Sequence, residues 1–489
     1  MKTILAFFLM TLLFGTTVSE DLVKVSEHIL DNGLKILIVE DHHTPLAVCR
    51  LYYKVGSVNE IPGKTGLSHM LEHMMFKGTK RIGVSDYDKE RLIAHSIDSL
   101  FALYDRFRDS HDTVGMKKVR QEAAVLSDKQ RQYLKNNELW SLYQREGGTA
   151  LNAYTADYMT AYIVTLPSNK IELFFWLESD RMANPVLREF YTERDVVMEE
   201  RRLRYENSPY GRYNETLGSL VFESHPLRNP TIGFMSDVMH LSREDALHHF
   251  KTYYVPDNAV LVLVGDVQEQ NVLHLAKRYF GPVPAGHSPV PQVTVQEPDQ
   301  VGEKRLQVHK NVGAVLDLLI KTPELGESDV YALDIIEGVL NGASGRLYKS
   351  LVQDKKLCTD ISAGNYVSKY YGLFTIHAEL KQGADHQAVE QAIFDELDKL
   401  KREKIGLREL EKVKNRVTAA EINGLRENEH LADRLAYFEI IRSWKLINTY
   451  TDAVKAVTRE TVLKTAQHYF EKRYCTLGWM VQDKEGGSK

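Results

Sequence analysis

Two histidines and a glutamate in the segment His69-Met70-Leu71-Glu72-His73 have residue types and a spacing that can support metal-dependent chemistry. Residues four positions apart on a helix lie on the same face, so His69 and His73 could bind one metal ion together. Glu72 lies next to the second histidine, where its carboxylate could take a proton from a water molecule activated by that metal. A match over so few residues also arises by chance. Whether this segment is a metal site must therefore be decided from the surrounding sequence.

A catalytic zinc ion usually has three protein ligands and one open position, so two histidines are an incomplete site. The charged segment 190–207 is predicted to be helical and is the natural source of a third ligand. Its Glu193 and Glu200 are seven positions apart and therefore lie on one helix face. Either carboxylate could instead be solvated surface charge. The alternative for the two histidines, a role in the core, is weaker because buried imidazoles on an otherwise apolar helix need partners.

Length and composition describe a globular protein. The chain has 489 residues, of which 43% are hydrophobic and 26% charged, so two or three domains with sizeable cores are expected. The formal net charge of -5 gives no support for nucleic-acid binding. The three cysteines, Cys49, Cys358 and Cys475, are too far apart to form a thiolate metal site, and we expect buried free thiols.

The first residues resemble a targeting signal. Lys2 precedes an almost wholly apolar run from Ile4 to Phe14, and Thr17-Val18-Ser19 offers small residues for cleavage. We therefore expect residues 1–19 to be a signal peptide and the mature chain to be periplasmic or secreted. A retained membrane anchor is the alternative, but the run is short for a bilayer span. No later stretch is long and apolar enough for stable membrane insertion.

The elements around the histidines would place them on a helix beside a sheet. Residues 24–55 are predicted to be strands with a hairpin turn at Asn32-Gly33. Thr65 is the predicted N-cap of the helix that carries His69 to Phe76, and Gly78 fits its C-terminal end.

The order of elements begins again after a proline-rich linker at 280–292. Strands are predicted on both sides of a helix over residues 328–352, as in the first part of the chain. The second half therefore reads as a diverged repeat of the first. The helix that corresponds to the one with His69 carries the sequence Ile335 to Gly342, which contains no histidine.

Strands and helices in blocks indicate the α+β class. We predict two homologous halves, each a mostly antiparallel sheet with helices packed on one face. The boundaries are 20–285 for an N-terminal metal-binding half and 286–489 for the C-terminal repeat. The charged, helical-period segment at about 85–140 is predicted to be a helical hairpin inserted into the first half.

Four segments, in order, resemble the pitrilysin/insulinase family of zinc peptidases, in which the order His-x-x-Glu-His is the inverse of the commoner motif. They are GLSHMLEHMMFKGT, LNAYTADYMTAY, ERDVVMEE and YYVPDNAVLVLVGD. The likeness is to the bacterial members that resemble the mitochondrial processing peptidase. The matches run from about residue 28 to 270, and more weakly to the C-terminus. The resemblance implies a half-clamshell in which the two halves face a substrate chamber.

The resemblance also implies the roles of individual residues. One zinc ion per chain would be bound by His69, His73 and Glu200, with Glu193 supporting the site and Glu72 as general base. Glu199 is the competing candidate for the third ligand. The strand with Asn152, Ala153 and Tyr154 would be an exposed edge to which a peptide substrate adds as a further strand.

Two features depart from the family pattern. The interval from His73 to Glu200 is 127 positions, longer than is usual, and the predicted helical hairpin accounts for the extra residues. Active members also carry an arginine and a tyrosine in the second half that hold the substrate, and Val352 and Thr359 stand at those positions here. The resemblance then implies a homologous partner chain that supplies arginine and tyrosine. The alternative is that Arg346 or Tyr348 substitutes within the same chain.

The sequence thus predicts a zinc-dependent endopeptidase for peptides or unfolded polypeptides, as the catalytic subunit of a heterodimer. The alternative is a non-catalytic structural or assembly subunit of the same family, which would have no need of an intact His-x-x-Glu-His segment. A metal-delivery protein would not need Glu72.

Overall fold

The computed structural model describes residues 22–287 and 289–483. The predicted signal peptide, residues 1–19, lies outside the described residues. Within the described part, no helix combines the length and the apolar character needed to cross a bilayer. Cys49, Cys358 and Cys475 are buried free thiols, as predicted.

The strands form two sheets. Their bounds are β1 Ser26–Ile29, β2 Lys35–Glu40, β3 Leu46–Tyr53, β4 Thr149–Thr155, β5 Thr160–Pro167, β6 Ala259–Gly265, β7 Lys304–Lys310, β8 Val315–Thr322, β9 Cys358–Tyr366, β10 Gly372–Leu380 and β11 Cys475–Gln482.

Sixteen α-helices are present in the described residues. Their bounds are α1 Leu67–Met74, α2 Tyr87–Asp109, α3 Thr113–Arg131, α4 Glu138–Arg145, α5 Ile171–Ala183, α6 Phe190–Arg201, α7 Gly211–Val221, α8 Met235–Val238, α9 Arg243–Tyr253, α10 Glu269–Tyr279, α11 Ser328–Leu340, α12 His386–Arg402, α13 Leu407–Gly424, α14 Asn428–Ile441, α15 Leu446–Ala456 and α16 Arg459–Tyr469. Segments of π-helix follow at Arg202–Glu206 and Tyr348–Asp354.

The two sheets share one strand order, except that the first has β1 as an additional edge strand. The first has the strand order β1-β2-β6-β3-β5-β4, and the second has β7-β11-β8-β10-β9. In each sheet one neighbouring pair is parallel, β2 with β6 and β7 with β11, and the other pairs are antiparallel. Each sheet packs its own half's helices on one face. The α+β class with two homologous, mostly antiparallel halves is confirmed.

The other face of each sheet is covered by a helix from the opposite half. Leu431, Leu435 and Phe438 of α14 share a core with Tyr52 and Val262 of the first sheet. In return, Tyr213 and Leu217 of α7 pack against Val315 and Met480 of the second sheet. We call this arrangement the helix exchange. Its consequence is that neither sheet is buried on both faces by its own half of the chain.

Two helix ends differ from the sequence prediction. The N-cap of α1 is Gly66, with φ 91, and not Thr65. Thr65 instead donates its hydroxyl to the Asp237 carboxylate, at 2.7 Å. The helix predicted over 328–352 ends at Leu340, because Asn341 leaves it in an extended conformation and Gly342 follows with φ 83. A left-handed glycine after the last turn is a common way to end a helix.

Candidate metal centre

Helix α1, which carries both histidines, begins with an acidic cap. The buried Glu60 carboxylate accepts the N–H groups of Gly66 and Ser68, both at 2.7 Å. These N–H groups have no partner within the helix, and the carboxyl oxygens of Glu60 satisfy them. Burial raises the pKa of Glu60 to about 8, against the effect of these two bonds. Met70, Leu71 and Met74 then bury the helix against the first sheet.

The structure brings His69, His73 and Glu200 together. One ligand atom from each lies within 4.8 Å of the others. The Nε2 atom of His73 is 3.3 Å from Glu200 Oε2, and Nε2 of His69 is 3.7 Å from Glu200 Oε1. Glu200 lies near the end of α6, which packs against α1.

Glu199 points elsewhere. Its side chain is 65% exposed and pairs with Arg202 on the outside of the helix. Of the two adjacent glutamates, only Glu200 approaches the imidazoles. Glu200 also forms a salt bridge with the exposed Arg204, with 2.7 Å between the nitrogen and the carboxylate oxygen.

Glu193 contacts His73 from its other side. Its Oε1 atom is 2.9 Å from His73 Nδ1, and its Oε2 atom is 2.7 Å from Lys77 Nζ. A carboxylate on the far nitrogen fixes the orientation of an imidazole and leaves Nε2 facing the centre. Glu193 thus contacts His73 but is not one of the three convergent groups.

The three convergent groups fit a zinc ion. Two imidazole nitrogens and one carboxylate are a known donor set for catalytic zinc with an open fourth position. His69 is only 6% exposed, and within the described residues its ring makes no hydrogen bond, so its Nε2 atom, which faces Glu200, is free to bind a metal ion. A buried imidazole without a hydrogen-bond partner is costly unless something else satisfies it.

The charge states of the histidines differ. Burial, together with the neighbouring His73, lowers the pKa of His69 to about 4, which favours the neutral form that can act as a ligand. For His73, burial opposes protonation, but its bonds to Glu193 and Glu200 outweigh this and raise its pKa to about 9. Burial likewise opposes the ionised form of Glu193, yet its bonds to His73 and Lys77 lower its pKa to about 2.

Glu72 connects the histidine helix α1 to strand β4. It accepts a 2.7 Å hydrogen bond from the hydroxyl of Thr155, the last residue of β4. Burial raises the pKa of Glu72, although the bond from Thr155 works against that shift. Such a carboxyl is better matched to proton transfer near neutral pH than an exposed one.

Strand β4 lies at the edge of the first sheet and pairs only with β5. Asn152 and Tyr154 are exposed, whereas Ala153 points into the core. The pairing is interrupted between Thr149 and Asn152, where Ala150 has φ 50, so the strand carries a bulge. The Tyr154 hydroxyl donates to Tyr52 at 3.2 Å.

Among the described residues of the second half, the two positions discussed above carry valine and threonine, and the nearby Arg346 is paired. Val352 packs against the second core, and Thr359 is exposed on β9. Arg346 makes two bonds to Glu409, at 3.0 and 2.6 Å, so its guanidinium is already occupied. Tyr348 is half-buried at the start of the π-helical segment.

Sequence reasoning missed the residues that hold the two metal-site helices in place. The buried Arg188 donates to the carbonyl groups of Lys77, Thr79 and Ile82, directly after α1. Its neighbours Leu187 and Glu189 both have positive φ, at 47 and 57. The inserted helices brace the same segment, since Phe101 of α2 and Tyr191 of α6 stack at 3.8 Å. No spacing rule links these distant positions, so the sequence carried no signal for them.

His249 of α9 contacts helix α1. Its Nε2 atom lies 3.1 Å from the hydroxyl of Ser68, and burial lowers its pKa to about 3. The unfolded chain binds a proton at this histidine below about pH 6.5, whereas the folded protein does not. The free energy of unfolding should therefore fall as the pH falls from about 6.5 towards 3.

Replacing His249 with glutamine, which does not titrate, should reduce this loss of stability. Denaturant unfolding at pH 7 and pH 5 should show the decrease shrinking by up to about 2 kcal/mol. His248→Gln, at the exposed neighbour, is the matched control and should behave like the unaltered protein. An equal pH dependence in the two variants would contradict the assignment.

Two family models match parts of the chain. The family model described as "Insulinase (Peptidase family M16)" matches residues 35–91, and "Peptidase M16 inactive domain" matches residues 240–417. The zinc protease PqqE of Helicobacter pylori is 27% identical over 455 residues, which cover 91% of this chain and 90% of that protein.

Solved structures have the same fold. The crystal structure of a protease from Helicobacter pylori is similar with a TM-score of 0.79 and 27% identity, covering 94% of this chain and 99% of that one. The first half of the periplasmic protease PqqL from Escherichia coli gives a TM-score of 0.69 at 17% identity, covering 94% of this chain and 92% of that one. The second likeness concerns the fold alone.

Proposed function

Because the chain belongs to the insulinase family, peptidase family M16, we propose that it is a zinc-dependent endopeptidase acting on peptides or unfolded polypeptides. The observation that carries the proposal is the convergence of His69, His73 and Glu200 within 4.8 Å of one another, beside Glu72. A scaffold has no use for this set of residues.

We propose that His69, His73 and Glu200 hold the zinc ion, with Glu193 orienting His73. When bound, zinc supplies Lewis-acid polarisation of the scissile carbonyl and makes water more acidic. Glu72 takes a proton from the attacking water and then passes it to the leaving amine. Burial suits Glu72 to both steps, because it raises the carboxyl pKa.

The substrate is proposed to bind at β4. A peptide in extended conformation would pair with this free edge, and main-chain hydrogen bonds would hold it whatever its sequence. Asn152 and Tyr154, which are exposed on β4, would contact its side chains, whereas Ala153 would act through its main chain. Thr155, at the end of the strand, links this binding edge to Glu72.

Thr155 is a positioning residue in this scheme. Thr155→Val should lower kcat by about 10–100-fold, as loss of a supporting bond commonly does, with KM and zinc content unchanged. Steady-state kinetics on a quenched peptide measure the two constants separately. Thr149→Val, at the exposed start of the same strand, is the matched control. A rise in KM with unchanged kcat would instead make Thr155 a binding residue.

We further propose that this chain is the catalytic subunit of a heterodimer. The support is the absence of arginine and tyrosine at Val352 and Thr359, together with the engagement of Arg346 by Glu409. The partner would be a homologous chain that has both residues but lacks the histidine motif.

We also propose the domain boundaries given by the sequence analysis, residues 20–285 for the metal-binding half and 286–489 for the repeat.

The test is hydrolysis of quenched peptides by the zinc-loaded protein, alone and with such a homologue, before and after chelation. Hydrolysis that needs zinc and rises with the homologue supports both proposals. Full activity of the isolated chain would overturn the heterodimer. No hydrolysis under any condition would favour the second candidate, a non-catalytic subunit, which the match of residues 240–417 to an inactive-domain model also suggests.

We propose that the protein acts in the periplasm or outside the cell. The pattern of Lys2 and the following apolar run supports this, as does the likeness of fold to a protein described as a periplasmic protease. Mass spectrometry of the exported protein should find a new N-terminus after about Ser19.

A further inference from the structure

The second sheet has an edge that corresponds to the proposed substrate edge. Strand β9 is the last strand of its sheet and pairs only with β10, as β4 pairs only with β5. An edge strand presents unpaired N–H and C=O groups to which another chain can add. By topology alone, the protein would offer two equivalent edges to an extended peptide.

The main chain of β9 is already paired, however, by two side chains of the preceding helix region. The N–H of Ala363 donates to Oδ1 of Asn341 at 2.6 Å, and Nδ2 of Asn341 donates to the Ala363 carbonyl, also at 2.6 Å. The N–H of Asn365 donates to Oε2 of Glu337 at 3.1 Å. A residue that both donates to and accepts from one partner has the bonding of a paired residue in an antiparallel sheet.

The end of α11 fixes these side chains. Asn341 is the C-cap residue, and its own N–H donates to the Glu337 carbonyl at 2.9 Å. The far end of β9 is tied to the same helix, because the amide of Asn365 donates to Asp334 at 2.7 Å. The early end of α11, which the sequence did not predict, is what brings Asn341 to the strand.

Hydrogen bonding closes this edge, and packing does not. A cavity of about 500 Å³ borders Asn341 and Glu337, so space remains beside them. At β4 the situation is the opposite. Among the described residues, no side chain makes a hydrogen bond to the main chain of residues 150–155.

We propose that Asn341 and Glu337 act as a built-in substitute for a peptide strand, which closes β9 and reserves strand addition for β4. Asn341 is then a specificity-determining residue, because of the two corresponding edges, β4 and β9, it leaves only β4 open to an extended peptide. The inference rests on the proposed function in one respect, that β4 receives the substrate.

Hydrogen exchange of individual amides tests the proposal in the full-length, zinc-loaded protein with Glu72→Gln, which keeps the peptide uncut. Asn341→Ala should speed exchange of the Ala363 amide by about 10-fold or more, as expected for loss of one hydrogen bond. The probe is an unstructured peptide of about ten residues, a typical strand length. The peptide should protect the β4 amides in both proteins, and it should protect the Ala363 amide only in the Asn341→Ala variant. Titration calorimetry should show the stoichiometry rising from one peptide to two.

Ser362→Ala is the matched control, since this exposed neighbour on β9 makes no side-chain bond among the described residues. In this variant the Ala363 amide should still exchange slowly, and the protein should still bind a single peptide. If Asn341→Ala does not fold, Asn341→Asp, which keeps the acceptor and loses the donor, should give an intermediate rise in exchange.

Three results would overturn the proposal. The first is slow exchange of the Ala363 amide in the Asn341→Ala variant, and the second is protection of β9 by the peptide in the parent protein. The third is a stoichiometry of one peptide in a variant whose Ala363 amide exchanges fast. Failure of the proposed function looks different. In that case the peptide would protect β4 amides in neither protein. The exchange rate of the Ala363 amide, compared between the parent and the Asn341→Ala variant, would still test the role of Asn341.

Discussion

Glu72→Gln is expected to lower kcat by about 10²–10⁴-fold, the usual contribution of a general base, while zinc content stays at about one ion per chain. The amide has nearly the shape of the carboxylate but cannot take a proton from water. Glu72 is not one of the three groups that converge on the metal position. The loss should therefore appear in the chemical step and not in metal binding.

The assay is hydrolysis of a quenched peptide, with metal analysis and circular dichroism of the same preparation. Glu206→Gln is the control, because Glu206 is an exposed glutamate beyond the end of α6 and its loss should leave the rate unchanged. A fully active Glu72→Gln enzyme would show that another group is the base.

Glu200→Ala is expected to weaken zinc binding by more than about 100-fold. Replacing residues that only support a ligand costs about 10–100-fold, so removal of a ligand should cost more. Glu200 is the only carboxylate within reach of both His69 and His73 among the described residues. Its loss would leave two imidazoles, which is too few for a catalytic zinc site.

The neighbouring Glu199 provides a control of equal charge. Glu199→Ala removes a carboxylate that is exposed and paired only with Arg202, so zinc affinity should not change. Competition with a chromogenic chelator measures the dissociation constants of both variants. Loss of zinc from Glu199→Ala, with retention by Glu200→Ala, would exchange the roles of the two residues.

Much of the fold and the shared face of His69 and His73 followed from local rules, whereas the choice of Glu200 came from the resemblance to a known family. The spacing of His69 and His73 predicts a shared helix face, and Glu193 and Glu200 do lie on the one helix that the charge pattern suggested. The repeated order of strands was also visible, because alternation and turn residues are local signals. These features depend on neighbours in sequence, which is why one sequence was enough.

The supporting contacts and the helix exchange could not be predicted in this way. Glu60 caps α1 from outside the helix, and Arg188 reaches the end of α1 from more than a hundred positions away. Nothing in the sequence of α14 shows which sheet it covers, because the contact joins the two halves of the chain. The break at Asn341 was missed because an apolar helical period continues past it, and the competing contact with β9 is non-local.

The helix exchange has a consequence for synthesis. The first sheet is complete once β6 has been made, but one face stays bare until α14 emerges, well over a hundred residues later. At about 5–20 residues per second, that delay is on the order of ten to thirty seconds. During this time a broad apolar surface that includes Tyr52 and Val262 is exposed. A nascent chain of this protein should therefore depend on chaperones until its last third has been translated.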